Sequence, residues 1–314
     1  MSAASGGTIG RVSVAGDMKS SSAVRYSMPV TRALDDIHTV DPLLDGMAGG
    51  LSVYLIDAPE PTLIDTGTAD SVEAIYDALD AVGIDRDEVE HVLVSHIHLD
   101  HAGGAGHLAV ELPNATFYIH EYGFDFLTAS DDFERLKSSV DRVMGEENAY
   151  GEPELLDPDR CRAVEGGDTV DIGDRELELI YAPGHASTHY AVFDPATEGL
   201  FTIDSAGMYF EGALRPTTPP PEFDLETMLD TVDRLRAYDP ARIFYGHFGP
   251  GSRDAVRELD RYERLLPEWV DTVRELRAEH GNDAAAIAGS LGDEWQSFSV
   301  ELDVEGVLHY LDRE

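Results

Sequence analysis

Only one residue in the 314 is cysteine, Cys161. A lone thiol excludes an internal disulfide framework and fits a reducing compartment. Lysine is almost as scarce: Lys19 and Lys137 are the only two, and Lys and Arg together number 22 against 62 Asp and Glu. No apolar run reaches the roughly 18 residues that a membrane-spanning helix needs. The opening stretch MSAASGGTIGRVSVAGDMKS has no charged-then-apolar signal layout. Its Gly and Ser content predicts a flexible N-terminal lead-in over residues 1–23. The expectation is a cytoplasmic protein that does not engage a membrane.

The net charge is −40, and the acids are spread along the chain rather than gathered in a tail. Such a surface repels itself in dilute buffer. At 1 M salt the Debye length shrinks to about 3 Å and the repulsion is screened. Acidic, lysine-poor composition therefore points to a halophilic setting. The same charge argues against a nucleic-acid partner, which calls for a basic patch.

A regular pattern begins near residue 51. LSVYLID (51–57) and TLID (62–65) read as strands around an Ala-Pro-Glu-Pro turn. Helical spacing follows over 69–82, and VEHVLVS (89–95) reads as a strand that runs into His96. The second half repeats this order: strands at 189–193 and GLFTID (199–204), a helix over 225–238, and ARIFY (241–245) running into Gly246-His247. Strand, turn, strand, Asp, helix, strand, His is common in α/β proteins. Here both copies place Asp and His at matching strand ends, where loops carry chemistry. Between the halves, 102–111 and 131–144 read as helices and 175–181 as a half-buried strand. Beyond residue 252 the spacing predicts helices over 254–266, 267–280 and 283–291. The segment 252–314 thus reads as a helical C-terminal subdomain, appended rather than independent. It serves equally as a lid or as a dimer surface, which leaves room for a homo-oligomer.

The stretch Ser95-His96-Ile97-His98-Leu99-Asp100-His101 holds a quarter of the chain's 12 histidines. On an extended backbone His96 and His98 point the same way. Asp100 and His101 follow after the chain leaves the strand and approach from another side. Histidine nitrogen and carboxylate oxygen together suit a borderline divalent ion. His185 (in Pro183-Gly184-His185), Asp204 and His247 each follow a predicted strand.

Taken together, these residues resemble the signature of the metallo-β-lactamase superfamily: His-x-His-x-Asp-His, then isolated His, Asp and His. The resemblance covers roughly residues 24–250. It implies a four-layer αββα sandwich with the metal site along one edge, residues 24–251 forming the catalytic domain to which the C-terminal helical extension is joined. It also implies two divalent metal ions, zinc foremost and iron or manganese as alternatives. One ion takes His96, His98 and His185; the other takes Asp100, His101 and His247; Asp204 bridges them. Asp65 matches a position that orients a histidine ligand, with a simple turn role left open, and His189 resembles the second histidine of the family's PGHxxxH variants. His38, His91, His107, His120, His280 and His309 sit in no motif and read as structural or exposed.

Two such ions lower the pKa of a shared water. The implied reaction is hydrolysis by a metal-bridging hydroxide, with Asp100 orienting it and shuttling the proton. Zinc β-lactamases carry cysteine where Asp204 stands, so β-lactam hydrolysis is disfavoured. The acidic tail lacks the basic residues with which glyoxalase II enzymes hold glutathione. N-acyl homoserine lactonases use a tyrosine near the metals, for which Tyr209 and Tyr190 are candidates. The substrate is then a small molecule: an ester, thioester or lactone. The alternatives are a phosphodiester or nucleic acid, or iron-dependent redox or sulfur chemistry on the same ligands. The tract Arg215-Pro216-Thr217-Thr218-Pro219-Pro220-Pro221 reads either as a rigid loop over the site or as a connector.

Overall fold

Alternation of apolar side chains along the central strands decides the layering. In the computed structural model, which describes residues 30–252 and 254–314, Val53 and Leu55 of one strand join an outer cluster while Tyr54 and Ile56 join an inner one. The predicted lead-in, residues 1–23, lies outside the described residues, as do residues 24–29. The first sheet holds β1 (Val30–Arg32), β2 (Ile37–Val40), β3 (Val53–Ile56), β4 (Thr62–Ile64), β5 (His91–Val94), β6 (Thr116–His120) and β7 (Cys161–Val164), paired in sequence order. The second holds β8 (Thr169–Asp171), β9 (Glu176–Tyr181), β10 (Tyr190–Asp194), β11 (Gly199–Ile203) and β14 (Arg242–Tyr245), in the order β14-β11-β10-β9-β8. A two-stranded ribbon, β12 (Met208–Phe210) and β13 (Ala213–Arg215), stands apart.

Three apolar clusters define four layers. The inner one joins the two sheets through Tyr54, Ile64 and Leu93 from the first and Tyr190, Val192, Phe201 and Phe244 from the second. Phe201 stacks on Phe244 with centroids 4.4 Å apart, and the Tyr54 hydroxyl donates to the Tyr245 carbonyl at 2.6 Å. On the outer face of the first sheet pack α1 (Val72–Val82), α2 (Leu99–Ala102), α3 (Ala105–Glu111), α4 (Phe124–Thr128) and α5 (Ser130–Met144). The outer face of the second sheet takes α6 (Leu225–Arg236), α7 (Ala255–His280), α8 (Ala284–Ala288) and α9 (Val300–Leu311). The αββα sandwich read from the sequence is the architecture observed.

The duplicated order is visible in the pairing. β3 and β4 are antiparallel and β4 then runs parallel to β5 across α1, with Leu63 opposite Val92. β10 and β11 are antiparallel and β11 runs parallel to β14 across α6, with Leu200 opposite Ile243. Asp65 and Asp204 directly follow the two corresponding strands, β4 and β11.

The C-terminal helices differ from the sequence reading in that α8 ends at Ala288 and α9, Val300–Leu311, follows beyond the last helix expected. A single helix, α7, runs through Pro267 where two were expected. Proline inside a helix costs about 3 kcal/mol. Burial of Tyr262, Leu266, Trp269, Val270 and Val273 along one face offsets it, at roughly 1.5–3 kcal/mol for each large apolar side chain. Those side chains share one core with α6, α9 and the outer face of the second sheet.

Candidate metal centre

β5 ends at Val94, so His96 and His98 do not alternate on a strand as the sequence suggested. The Ser95 N–H is taken by Asp65 Oδ1 at 2.8 Å instead of a neighbouring strand, which lets the chain turn out of the sheet. His98 stands at the N-cap position of α2 without a side-chain capping bond, and Asp100 and His101 sit in the single turn of that helix. The two imidazoles still converge, with ring centroids 4.6 Å apart.

The remaining members arrive on tight turns. His185 follows Gly184, whose φ is +120° and where a Cβ would lie 2.6 Å from the Met228 backbone. Asp204 follows Ile203, which has a φ of +50° at a register shift in the β11–β14 pairing. That conformation suits glycine, and a β-branched residue there stores strain of order 1–3 kcal/mol. His247 follows Gly246, where a Cβ would come within 2.7 Å of Asp204 Oδ1.

The donor atoms of His96, His98 and His185 lie within 4.8 Å of one another, and so do those of Asp100, His101 and His247. A third such group, His96, His101 and Asp204, links the two. Asp204 Oδ2 is central: it lies 3.3 Å from His101 Nε2, 3.4 Å from His247 Nε2, 3.5 Å from His185 Nε2 and 4.0 Å from His96 Nε2.

Ring orientation is fixed from behind. Nδ1 of His101 donates to Asp65 Oδ2 at 2.9 Å, that of His185 to the Thr217 carbonyl at 3.1 Å, and that of His247 to the Gly50 carbonyl at 2.7 Å. His96 Nδ1 pairs with the Ser95 hydroxyl at 2.9 Å. A proton held on Nδ1 leaves Nε2 as a lone pair aimed inward. Those lone pairs face one another and a carboxylate, and His96 Nε2, His101 Nε2 and Asp204 Oδ1 are buried with no hydrogen-bond partner. Acceptors crowded together in a dry site call for positive charge among them. The donor set therefore fits divalent cations.

The electrostatics agree. Burial lowers the pKa of His96, His98 and His189 and takes His185 down to about 4, keeping these rings neutral. Burial also acts on His101 and His247, but the carboxylates of Asp100 and Asp204 at the first, and chiefly Asp204 at the second, outweigh it and raise both. Burial would raise Asp204; His247 and His101 overcome that and hold its carboxyl well below the usual range.

His189 is fully buried beneath the site, stacked on His96 at 4.7 Å, and its Nε2 accepts from the Asp204 N–H at 3.4 Å. Of the two tyrosine candidates, Tyr190 is turned away from the cluster. Tyr190 is buried between the sheets, its hydroxyl donating to the Tyr118 carbonyl at 2.9 Å, because its strand parity turns it inward. Tyr209 packs on the outer core with its ring stacked on Tyr245 at 6.3 Å. Among the other histidines, His91 bridges Tyr118 and Glu60, and His120 stacks on Tyr181. Nothing in the residue pattern signalled the Gly50 and Thr217 carbonyls, or Phe298, whose ring lies 5.4 Å from that of His247.

A two-sheet sandwich with clustered His and Asp side chains at its strand ends defines a class of metal-dependent hydrolase. The family model of the metallo-beta-lactamase superfamily matches residues 47–247, and the chain belongs to that superfamily. It is accordingly a metal-dependent hydrolase. The metallo-beta-lactamase fold-containing protein ST1585 of Sulfurisphaera tokodaii is 32% identical over 210 residues, 66% of this chain and 76% of that protein. Its crystal structure superposes with a TM-score of 0.65, covering 88% of this chain and 98% of that one at 24% identity. An N-acyl homoserine lactonase of Bacillus thuringiensis is 24% identical over 278 residues, 78% of this chain and 98% of that protein. The metallo-beta-lactamase family protein TTHA1429 of Thermus thermophilus shares the fold, with a TM-score of 0.61 and 19% identity over 92% of each chain.

Proposed function

We propose that the protein hydrolyses a small uncharged ester, thioester or lactone at a dinuclear centre. His96, His98 and His185 would hold one divalent ion and Asp100, His101 and His247 the other, with Asp204 placed between the two groups. The observation that carries this reading is the single carboxylate oxygen of Asp204 within 4.0 Å of inward-facing Nε2 atoms from both groups. Two bound ions, zinc foremost, supply Lewis-acid polarisation and a water acidic enough to attack near neutral pH. Asp100 is the proton carrier. Its side chain keeps 16% exposure, while those of His101, Asp204 and His247 keep 5% or less. It takes the proton of the attacking water and returns it to the leaving oxygen or sulfur, giving acid plus alcohol or thiol.

Two features support an uncharged substrate. Among the described residues, Asp100 and Asp204 form ion-pair contacts with histidines alone, and neither pairs with a Lys or Arg. An arginine there would give a phosphodiester a bidentate partner. Half-buried Phe210, Phe248 and Phe298 pack together, with Phe210–Phe248 at 5.0 Å and Phe248–Phe298 at 5.7 Å, beside His247. They form an apolar wall suited to an acyl or alkyl group. The likeness to N-acyl homoserine lactonases supports a lactone within this class. The setting belongs to the same proposal: a charge of −40 suits a salt-rich cytoplasm.

The test is a panel of thioester, lactone and bis-p-nitrophenyl phosphate in molar KCl, with metal analysis of the same sample. Turnover of thioester or lactone, with two zinc per chain, is expected. Preferential cleavage of the phosphodiester, or one iron per chain without hydrolysis, would overturn the proposal.

A further inference from the structure

The C-terminal helices meet the metal centre at the backbone of Thr217 and Thr218. Thr217 faces the site: its carbonyl accepts from His185 Nδ1 at 3.1 Å, and its hydroxyl donates to the Asp204 carbonyl at 2.7 Å. Thr218 faces the helices. Its N–H donates to Asp303 Oδ1 at 2.6 Å, and its hydroxyl donates to the Asp303 carbonyl at 3.0 Å while accepting from Trp269 Nε1 at 3.1 Å. Ser299 Oγ donates to the second carboxylate oxygen, Oδ2, at 2.8 Å. Thr217, Thr218, Trp269 and Asp303 are all buried. α9 approaches so closely that a Cβ at Gly306 would stand 1.8 Å from the Thr218 carbonyl oxygen.

Burying a carboxylate in a helix interface is costly unless its hydrogen bonds are made. An apolar residue at 303 would fill the same space, but it could not receive the Thr218 N–H. Prolines at 216 and 219–221 restrict the loop's torsions, yet torsions alone do not fix its distance from the sheets. A site of this kind tolerates only about 0.5 Å of play. If the loop shifted, the Thr217 carbonyl would leave His185 Nδ1, and the proton would be free to move to Nε2, the atom aimed at the site.

We propose that Asp303 is a positioning residue of the metal centre, acting through Thr218 and Thr217 on the ring of His185. It lies outside residues 47–247, which the family model matches. The inference rests on the reading of His185 as a metal ligand.

Zinc affinity of the metal-depleted protein, measured by chelator competition, tests it in wild type, Asp303→Ala and Asp303→Asn. Unfolding of the metal-free proteins is followed in parallel. Asparagine keeps an acceptor for the Thr218 N–H; alanine does not. Asp303→Ala is expected to bind the His185-side zinc about 10–100-fold more weakly, with Asp303→Asn restoring most of the loss. A role confined to packing would lower stability and leave the affinity of the folded protein unchanged. Affinities within threefold of wild type in both variants, or equal losses in both, overturn the proposal. Should Asp303→Ala fail to fold, Asp303→Leu takes its place, keeping the bulk of the side chain while offering the Thr218 N–H no acceptor. Weaker zinc binding is then expected, and unchanged binding overturns the proposal. A wild type that binds no zinc would instead refute the metal centre itself.

Discussion

Replacing Asp65 by asparagine removes one charge and almost no volume, so its effect isolates a hydrogen-bond argument. Asp65 has no solvent exposure and accepts two bonds, from the Ser95 N–H at 2.8 Å and from His101 Nδ1 at 2.9 Å. Asparagine has one oxygen and one NH2 to offer these two donors. If the oxygen stays on Ser95, the NH2 faces His101 Nδ1 and drives the imidazole proton to Nε2, the atom required as a lone pair. If the amide flips, the Ser95 N–H is stranded in a dry interior at a cost of about 1–3 kcal/mol. Either route damages the centre. The expected loss in zinc affinity is about 10–100-fold, which is about 1.4–2.8 kcal/mol. Chelator competition reads this directly. Denaturant titration with and without zinc provides a second measure, because the extra stability conferred by metal should shrink by a similar amount. A folded Asp65→Asn protein that binds zinc within twofold of wild type would refute the reasoning.

Three further outcomes are expected. Asp100→Asn cannot carry the proton and should lower kcat by about 10²–10⁴-fold; kcat within threefold of wild type in zinc-loaded enzyme would contradict that role. Burial, aided by the Asp157 carboxylate, pushes the half-buried Cys161 thiol up to about 12. A raised thiol pKa means less thiolate at a given pH, so disulfide exchange with a chromogenic reagent at pH 8 should run about 10²-fold or more slower in the native than the unfolded protein; comparable rates would contradict it. Charge of −40 predicts a melting temperature that rises from dilute buffer to molar KCl, by about 2–4 °C per kcal/mol of relieved repulsion, whereas a flat or falling curve would remove the salt-adaptation reading.

The sandwich was legible because two strand–helix–strand units repeat in apolar period, and β3, β4, α1 and β5 fall where the pattern puts them. The residues that cluster were legible for a different reason: histidine and aspartate are chemically specific, and their short spacing survives any uncertainty over where β5 ends. What holds them was not. The Gly50 and Thr217 carbonyls fix two imidazoles, and every residue has a carbonyl, so no side-chain pattern announces them. Asp303 is one acid among 62 Asp and Glu; only α9 packing against the 217–218 loop singles it out. Tyr190 shows the opposite failure. A tyrosine near the right turn looked suitable for the site, and strand parity placed it between the sheets.

Metal content and turnover followed on one sample would test the central claim most directly. Divalent metal per chain and the hydrolysis rate are measured before dialysis against EDTA, after it, and during stepwise return of zinc. The account predicts two ions per chain, loss of hydrolysis with their removal, and recovery as the ions return. Hydrolysis that persists in metal-free protein, or a chain that takes up no divalent ion, would contradict it.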